Sequence, residues 1–181
     1  MLFISDIHGC LPALEKALFW AERLQAKHLI VLGDVLNHGP RNPVPDGYQP
    51  AKVAELLNQY ADRILAVRGN CDSEVDQMLC EFPLLADYNN LLLGGKRAFV
   101  THGHLWNENK LPPLGSGDIF CFGHSHLPMA MWQNDKLMFN PGSITLPKGG
   151  HPPSLGHFDG NALRVLDLDG NLLQQASINE H

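Results

Sequence analysis

Five apolar runs in this chain each end on a side chain that can bind a metal. LFIS leads to Asp6 and His8, LIVLG to Asp34, ILAVRG to Asn70, AFVT to His102, and IFCFG to His124 and His126. Short apolar runs of this kind read as buried strands, and strands of one sheet share an edge. Carboxylate, imidazole and amide groups delivered to such an edge can converge on a pair of cations.

Taken singly, the motifs are weak. Asp6-Ile7-His8 sets two ligand types two residues apart, but a lone DxH is common. An Asp after a strand, as in Gly33-Asp34, is often only a helix cap, and Asn after Gly, as in Gly69-Asn70, mostly marks a turn. His102 and His104, in Thr101-His102-Gly103-His104, are compatible with surface histidines. Gly123-His124-Ser125-His126 is stronger, since two imidazoles bracket a small residue. The joint pattern decides: ligand types after five separate apolar runs are hard to obtain from satisfied core polar groups.

The elements that must position these groups alternate in the first half. Met1 to Ser5 reads as a strand, Leu11 to Lys27 as a helix with Pro12 in its first turn, and His28 to Leu32 as a second strand. Val35 to Pro50 reads as a long loop, Ala51 to Ala61 as a helix, and Ile64 to Val67 as a third strand. Ser73 with Asp76 resembles an N-cap pair opening a short helix through Leu79. Three strand–helix alternations favour right-handed crossovers and a parallel sheet. Beyond Leu91 the strands crowd together: Gly94-Gly95 separates Leu91–Leu93 from Arg97–Thr101, and Asn134-Asp135 separates Met129–Gln133 from Lys136–Asn140. Ser154–Phe158, Ala162–Leu168 and Leu172–Ile178 complete the set. This pattern fits two sheets packed face to face with helices outside, or one large mixed sheet.

The 181 residues predict a single globular domain spanning 1–181. With 44% hydrophobic and 18% charged residues, disorder is not expected. A net charge of −6 without a Lys/Arg run predicts no bulk nucleic-acid or membrane surface. No apolar stretch approaches the ~18 residues needed to cross a bilayer, and Met1 to Ser5 leaves no room for a signal peptide. Cys10, Cys71, Cys80 and Cys121 lack CxxC spacing and read as reduced thiols in a cytoplasm, with Cys80 and Cys121 in the core.

With these residues in place the chain resembles the calcineurin-like metallophosphoesterase superfamily, whose signature runs DxH, GD, GN, H, GHxH in the order found from Asp6 to His126. Asn140-Pro141-Gly142-Ser143 fits the segment that follows in its small bacterial branch. GDVLNHGPRNPVPDGY and RGNCDSEVDQML are similar to the bacterial YfcE-type phosphodiesterases, over nearly the whole chain. The resemblance implies a four-layer α/β/β/α sandwich, two packed mixed β-sheets flanked by helices. It also implies that Asp6, His8, Asp34 and His126 hold one divalent metal ion, while Asp34, Asn70, His102 and His124 hold the other, with Asp34 bridging. Two ions about 3.5–4 Å apart can share a hydroxide as nucleophile and stabilise both entering and leaving oxygens. Mixed ligation suits Mn, Fe, Co, Ni or Zn, and manganese is the expected assay metal.

The departure is at Cys71. The superfamily usually reads GNH before an acidic residue, and that His is taken to contact the phosphate or protonate the leaving group; here the order is Gly69-Asn70-Cys71-Asp72. A thiol with a reference pKa of about 8.5 supplies no positive charge. Two divalent ions, two ligand carboxylates and a hydroxide leave one positive charge, which matches a diester monoanion better than a monoester dianion. A small-molecule phosphodiester with an activated leaving group is therefore the expected substrate, with solvent or His104 as proton donor.

Asn37 and Arg41 are expected near the substrate, against the plain alternative of a solvated loop arginine. Trp20 and Trp132 are assigned to packing or an oligomer contact and Trp106 to the cleft mouth. His28, His151, His157 and His181 are read as structural or exposed, and His38 is left open. Two other functions remain: a phosphomonoesterase or phosphoprotein phosphatase on the same site, and a noncatalytic module like a retromer subunit of this fold. The retained His8, His102, His124 and His126 count against the scaffold. A homo-oligomer, dimer or tetramer, is compatible with this size.

Overall fold

The computed structural model describes residues 1–179, so the expectation for His181 lies outside the described residues. Its first half alternates as read: β1 (Leu2–Ile4), α1 (Leu11–Arg23), β2 (Leu29–Val31), α2 (Pro50–Asn58), a 3-10 turn (Ala61–Arg63), β3 (Ile64–Ala66) and α3 (Glu74–Leu79). Strands then dominate: β4 (Tyr88–Leu93), β5 (Lys96–Thr101), β6 (Ile119–Cys121), β7 (Met129–Gln133), β8 (Lys136–Asn140), β9 (Ser154–Phe158), β10 (Ala162–Asp167) and β11 (Leu172–Ser177).

Two mixed sheets result, in the orders β11-β10-β9-β1-β2-β3 and β4-β5-β6-β8-β7. β1, β2 and β3 run parallel, with Leu2, Leu29 and Ile64 in register, while β9 joins β1 antiparallel. In the second sheet β5, β6 and β8 are parallel, and β4 and β7 pair antiparallel at its edges. Among the described residues no strand pairing joins the two sheets, so the single-sheet alternative falls away.

The apolar runs of β1 and β2 are continuous because both faces of the first sheet are covered. Leu2, Ile4, Leu29 and Val31 belong to the core formed with Leu14 and Leu18 of α1 and Val53 and Leu57 of α2. The alternate residues Phe3 and Ile30 join the core between the sheets with Val100, Ile119, Leu137 and Phe139. Phe3 meets Phe139 edge to face at 5.2 Å between ring centres. Burying one such side chain contributes about 1.5–3 kcal/mol, so the sheet-to-sheet contact fixes how the two sets of strand ends oppose each other. On the outer face of the second sheet, Trp106 and Leu114 of the β5–β6 connection cover Phe99, Phe120 and Phe122.

Some boundaries differ from the periodicity. Helix α1 stops at Arg23 rather than Lys27, because Gln25 turns left-handed at φ 51°. Gln25 N–H donates to Glu22 O and Ala26 N–H to Ala21 O, which satisfies the last carbonyls in a Schellman arrangement without glycine. Strand β4 begins at Tyr88, before its apolar residues, because it pairs along all of β5. Ser73 and Asp76 form the expected capping pair, Asp76 Oδ2 accepting from Ser73 N–H at 2.7 Å. No helix among the described residues is long and apolar enough to cross a membrane.

Candidate metal centre

The ligand types emerge just beyond the carboxyl ends of β1, β2, β3, β5 and β6. Their backbone is unusual. Asp6, His8, Asp34, His124 and His126 have φ between 48° and 62°, and among the described non-glycine residues only Gln25 and Asn134 share this region. Each left-handed residue costs about 1–2 kcal/mol, so surrounding bonds must hold it. Asp6 N–H donates to Gly33 O at 3.1 Å, His8 N–H to Asp34 O at 2.9 Å, and Gly123 N–H to His102 O at 2.7 Å. Neighbouring strand ends are thereby stitched together past the last ladder pair. The crowding explains two of the glycines that precede ligands: a Cβ on Gly69 would collide with Asp34, and one on Gly123 with Ser5.

Asp6, His8 and His126 bring ligand atoms within 4.8 Å of one another, and so do Asp34, His102 and His124. His126 Nε2 lies 3.1 Å from Asp6 Oδ1, and His8 Nε2 lies 3.8 Å from it. Asp34 Oδ2 stands between the trios, 3.7 Å from His8 Nε2 and 3.5 Å from His102 Nε2. Asn70 Oδ1 is 3.2 Å from His102 Nε2, and His124 Nδ1 approaches the same nitrogen at 3.2 Å.

The outward nitrogens set the tautomers. His8 Nδ1 donates to Asn37 O at 2.9 Å, His102 Nδ1 to Leu32 O at 2.6 Å and His126 Nδ1 to Leu146 O at 2.5 Å. Held this way, the three imidazoles turn Nε2 toward carboxylate oxygens. Asp6 Oδ1 and His8 Nε2 are buried without a hydrogen-bond donor. With Nε2 unprotonated these pairs, at 3.1–3.8 Å, are acceptors facing acceptors, which repel unless a proton or a metal cation lies between them, and an oxygen–nitrogen donor set of this kind fits divalent transition metals.

The electrostatics agree. Burial would raise the carboxyl pKa values of Asp6 and Asp34, but neighbouring imidazoles outweigh it, His126 and His102 at Asp6 and His102 at Asp34, and both are lowered. Burial likewise works against charge on His102, yet Asp34 and Asp6 push it up to about 9. His126 is raised by Asp6 against the same burial. Without metal, protons occupy positions that cations would take.

Cys71 sits at the rim, its Sγ within 4.8 Å of the His8 and Asp34 ligand atoms. Burial, then the charge of Asp34, pushes its thiol up to about 12, so it is neutral. His104 stands outside both trios, its ring centre 5.4 Å from that of His102. Burial, then His102 and His124, push it down to about 4, so near neutral pH it is an unprotonated imidazole. Arg41 and Asn37 line the cleft over the centre, although Asn37 Oδ1 is already engaged by Gly39 N–H at 2.8 Å. Trp106 does not line that cleft; it packs edge-on against Phe99, because the β5–β6 connection folds over the second sheet. Trp20 donates to Leu168 O and Trp132 to Ser177 O, both as packing residues. His38 packs edge-on against Tyr48.

Two residues escaped the motif reading. Asp72 is buried and accepts three backbone N–H bonds, from Asp34 at 2.9 Å, Val35 at 2.8 Å and Gly69 at 2.7 Å. It thereby ties the β2 end to the β3 end under Asp34, even though burial pushes its carboxyl up to about 6. Its signal was its place two residues after Asn70. Lys148 lines the cleft beside His126, and nothing in its Pro/Gly-rich surroundings marks it.

The model for the calcineurin-like phosphoesterase superfamily domain matches residues 1–162. The chain is similar to phosphodiesterase YfcE of Escherichia coli strain K12, 51% identical over 180 residues, covering 99% of this chain and 98% of the relative. The solved structure of that E. coli phosphoesterase superposes with a TM-score of 0.96 over 98% of each chain. It is also similar to the probable metallophosphoesterase YsnB of Bacillus subtilis, 33% identical over 96% of this chain and 94% of the relative. Vps29 of Cryptosporidium parvum, 22% identical over 97% of this chain and 96% of its own, shares the fold at a TM-score of 0.61. The chain belongs to the calcineurin-like phosphoesterase superfamily.

Proposed function

We propose that the chain is a phosphodiesterase that works with two divalent cations. The observation that carries this reading is Asp34 Oδ2, set between His8 and His102 so that one oxygen faces both trios. Asp6, His8, Asp34 and His126 would hold one ion, and Asp34, Asn70, His102 and His124 the other. Such ions supply Lewis acidity toward phosphate oxygens and lower the pKa of water. Manganese is our choice for assay, within a donor set that also accepts Fe, Co, Ni or Zn.

The chain's own residues do the rest. Carbonyls of Asn37, Leu32 and Leu146 fix the imidazole tautomers, and the hydrogen-bonded strand ends preset the ligand spacing. The neutral Cys71 thiol adds no cation at the rim, which favours a substrate phosphate bearing one charge over one bearing two. His104, unprotonated near neutral pH, is poorly suited to protonate a leaving group, which favours leaving groups stable as anions, such as phenolates. The similarity to phosphodiesterase YfcE supports the diester reading. Four free cysteines fit a reducing compartment such as the cytoplasm.

The test is metal analysis of purified protein joined to a panel of aryl phosphodiesters, phosphomonoesters and cyclic nucleotides. We expect metal-dependent hydrolysis with aryl diesters ahead of monoesters. Monoesters ahead would favour a phosphatase, and a metal-replete protein without turnover would favour the scaffold reading.

A further inference from the structure

The cleft over the metal centre encloses about 700 Å³, a size that takes a whole ligand rather than one phosphate. Among its eleven lining residues Asp34 is the sole carboxylate, in a protein of net charge −6, while Arg41 and Lys148 bring two cations. Among the described residues neither has a carboxylate within ion-pair distance. Cations left unpaired over an anion-handling centre are available to the substrate.

Both ride on turns bonded to the same half of that centre. The Arg41 turn hangs on His8, whose Nδ1 donates to Asn37 O. Gly39 N–H to Asn37 Oδ1 and Asn42 Nδ2 to His38 O at 2.9 Å then fold it back. The Lys148 turn hangs on His126, whose Nδ1 donates to Leu146 O and whose carbonyl accepts from Lys148 N–H at 3.2 Å. His8 and His126 both face Asp6. From the other half only Asn70 and His124 reach the cleft, with Cys71 lying between His8 and Asp34, and none of the three is a lysine or an arginine. The two basic side chains of the cleft therefore both belong to turns tied to the His8–His126 side.

We propose that Arg41 and Lys148 form a second anion subsite at the His8–His126 end, for a phosphodiester carrying a further phosphate on the arm that does not leave. The inference rests on the phosphodiesterase reading and adds the substrate class. Arg41 offers a planar fork for two phosphate oxygens and Lys148 a point charge. The reacting phosphate lies over the metal centre while its second anionic group is held to one side, so the subsite also sets which ester oxygen departs.

The experiment compares thymidine 5′-(p-nitrophenyl phosphate) with the same ester bearing a 3′-phosphate, on the manganese-loaded protein. One charge-assisted phosphate contact is worth about tenfold, so we expect KM about tenfold lower for the 3′-phosphorylated ester, an advantage that added salt narrows. In an Arg41→Gln/Lys148→Gln variant the KM ratio should fall close to one while the metal content stays that of the wild type. A second arm reads the subsite without turnover: calorimetric binding of thymidine 3′,5′-bisphosphate against thymidine 5′-phosphate, where the preference should vanish in the same variant. Equal KM values and equal affinities in the wild type, or a preference that survives in the variant, overturn the subsite. Absence of turnover with both esters overturns the diesterase reading, and the calorimetric arm still decides the subsite.

Discussion

The two halves of the metal centre are built to different standards of enclosure. Asp6, His8 and His126 are buried, and the outward nitrogens of both imidazoles are bonded to backbone carbonyls. The other half has one such member, His102. His124 is only half-buried and turns Nδ1 inward, and Asn70 is exposed. If each trio takes an ion, the fold would preset the position between Asp6, His8 and His126, while the other would be finished by groups at the surface, where substrate and solvent arrive. A tightly held ion and an exchangeable one are what this asymmetry predicts.

Both halves depend on the carboxylate they share. Asp34→Ala should abolish binding of both ions and lower aryl diester hydrolysis roughly a thousandfold, read by metal content and initial rates; two ions retained would mean that the halves are independent. The next contrast separates them. His126→Asn removes the imidazole that lies 3.1 Å from buried Asp6 Oδ1 and should lower metal-free stability by about 3 kcal/mol or more, whereas His124→Asn should cost under about 1 kcal/mol. Denaturant titration measures both, and equal losses would erase the claimed difference in enclosure. Asp72→Asn loosens the Asp34 side, since an amide cannot accept all three backbone N–H bonds. A loss of about 1–3 kcal/mol should appear in thermal melts with the closed half's ion still bound.

pH separates protons from metal. In the metal-free protein His102 is raised from 6.5 to about 9, so its charged form adds stability below pH 6.5 that is lost as pH rises through 9. An ion replaces that proton, so the gain in melting temperature on loading should grow across this window; a constant gain would disconnect His102 from the metal. The smallest effect is expected at the rim. Cys71→His should lower the diester-to-monoester rate ratio only several-fold, and an unchanged ratio would remove the thiol from the specificity argument.

Much of this was legible because ligands on strand ends carry two signals at once, an apolar run and a polar full stop. β1, β2, β3, β5 and β6 were read that way, and the trios follow from parallel strands ending together. The division of strands between two sheets was not legible, because alternation along β5 or β9 says nothing of its partner; the resemblance supplied it. Asp72 was hidden because its partners are backbone N–H groups of residues 34, 35 and 69, which leave no mark on side-chain types. Lys148 was hidden because it reaches the centre through a turn bonded to His126 rather than through a strand. The early stop of α1 was missed since Gln is not the residue expected to turn left-handed.

The tethers of His8, His102 and His126 end on main-chain oxygens, and that choice bears on inheritance. A point mutation can delete a carboxylate that orients a histidine, but it cannot delete a carbonyl. Residues 32, 37 and 146 can therefore change identity under genetic drift while the three imidazoles keep their protonation pattern. Loops bordering such a centre are free to diversify without first rebuilding it, which is the latitude a lineage needs to acquire new substrates one mutation at a time.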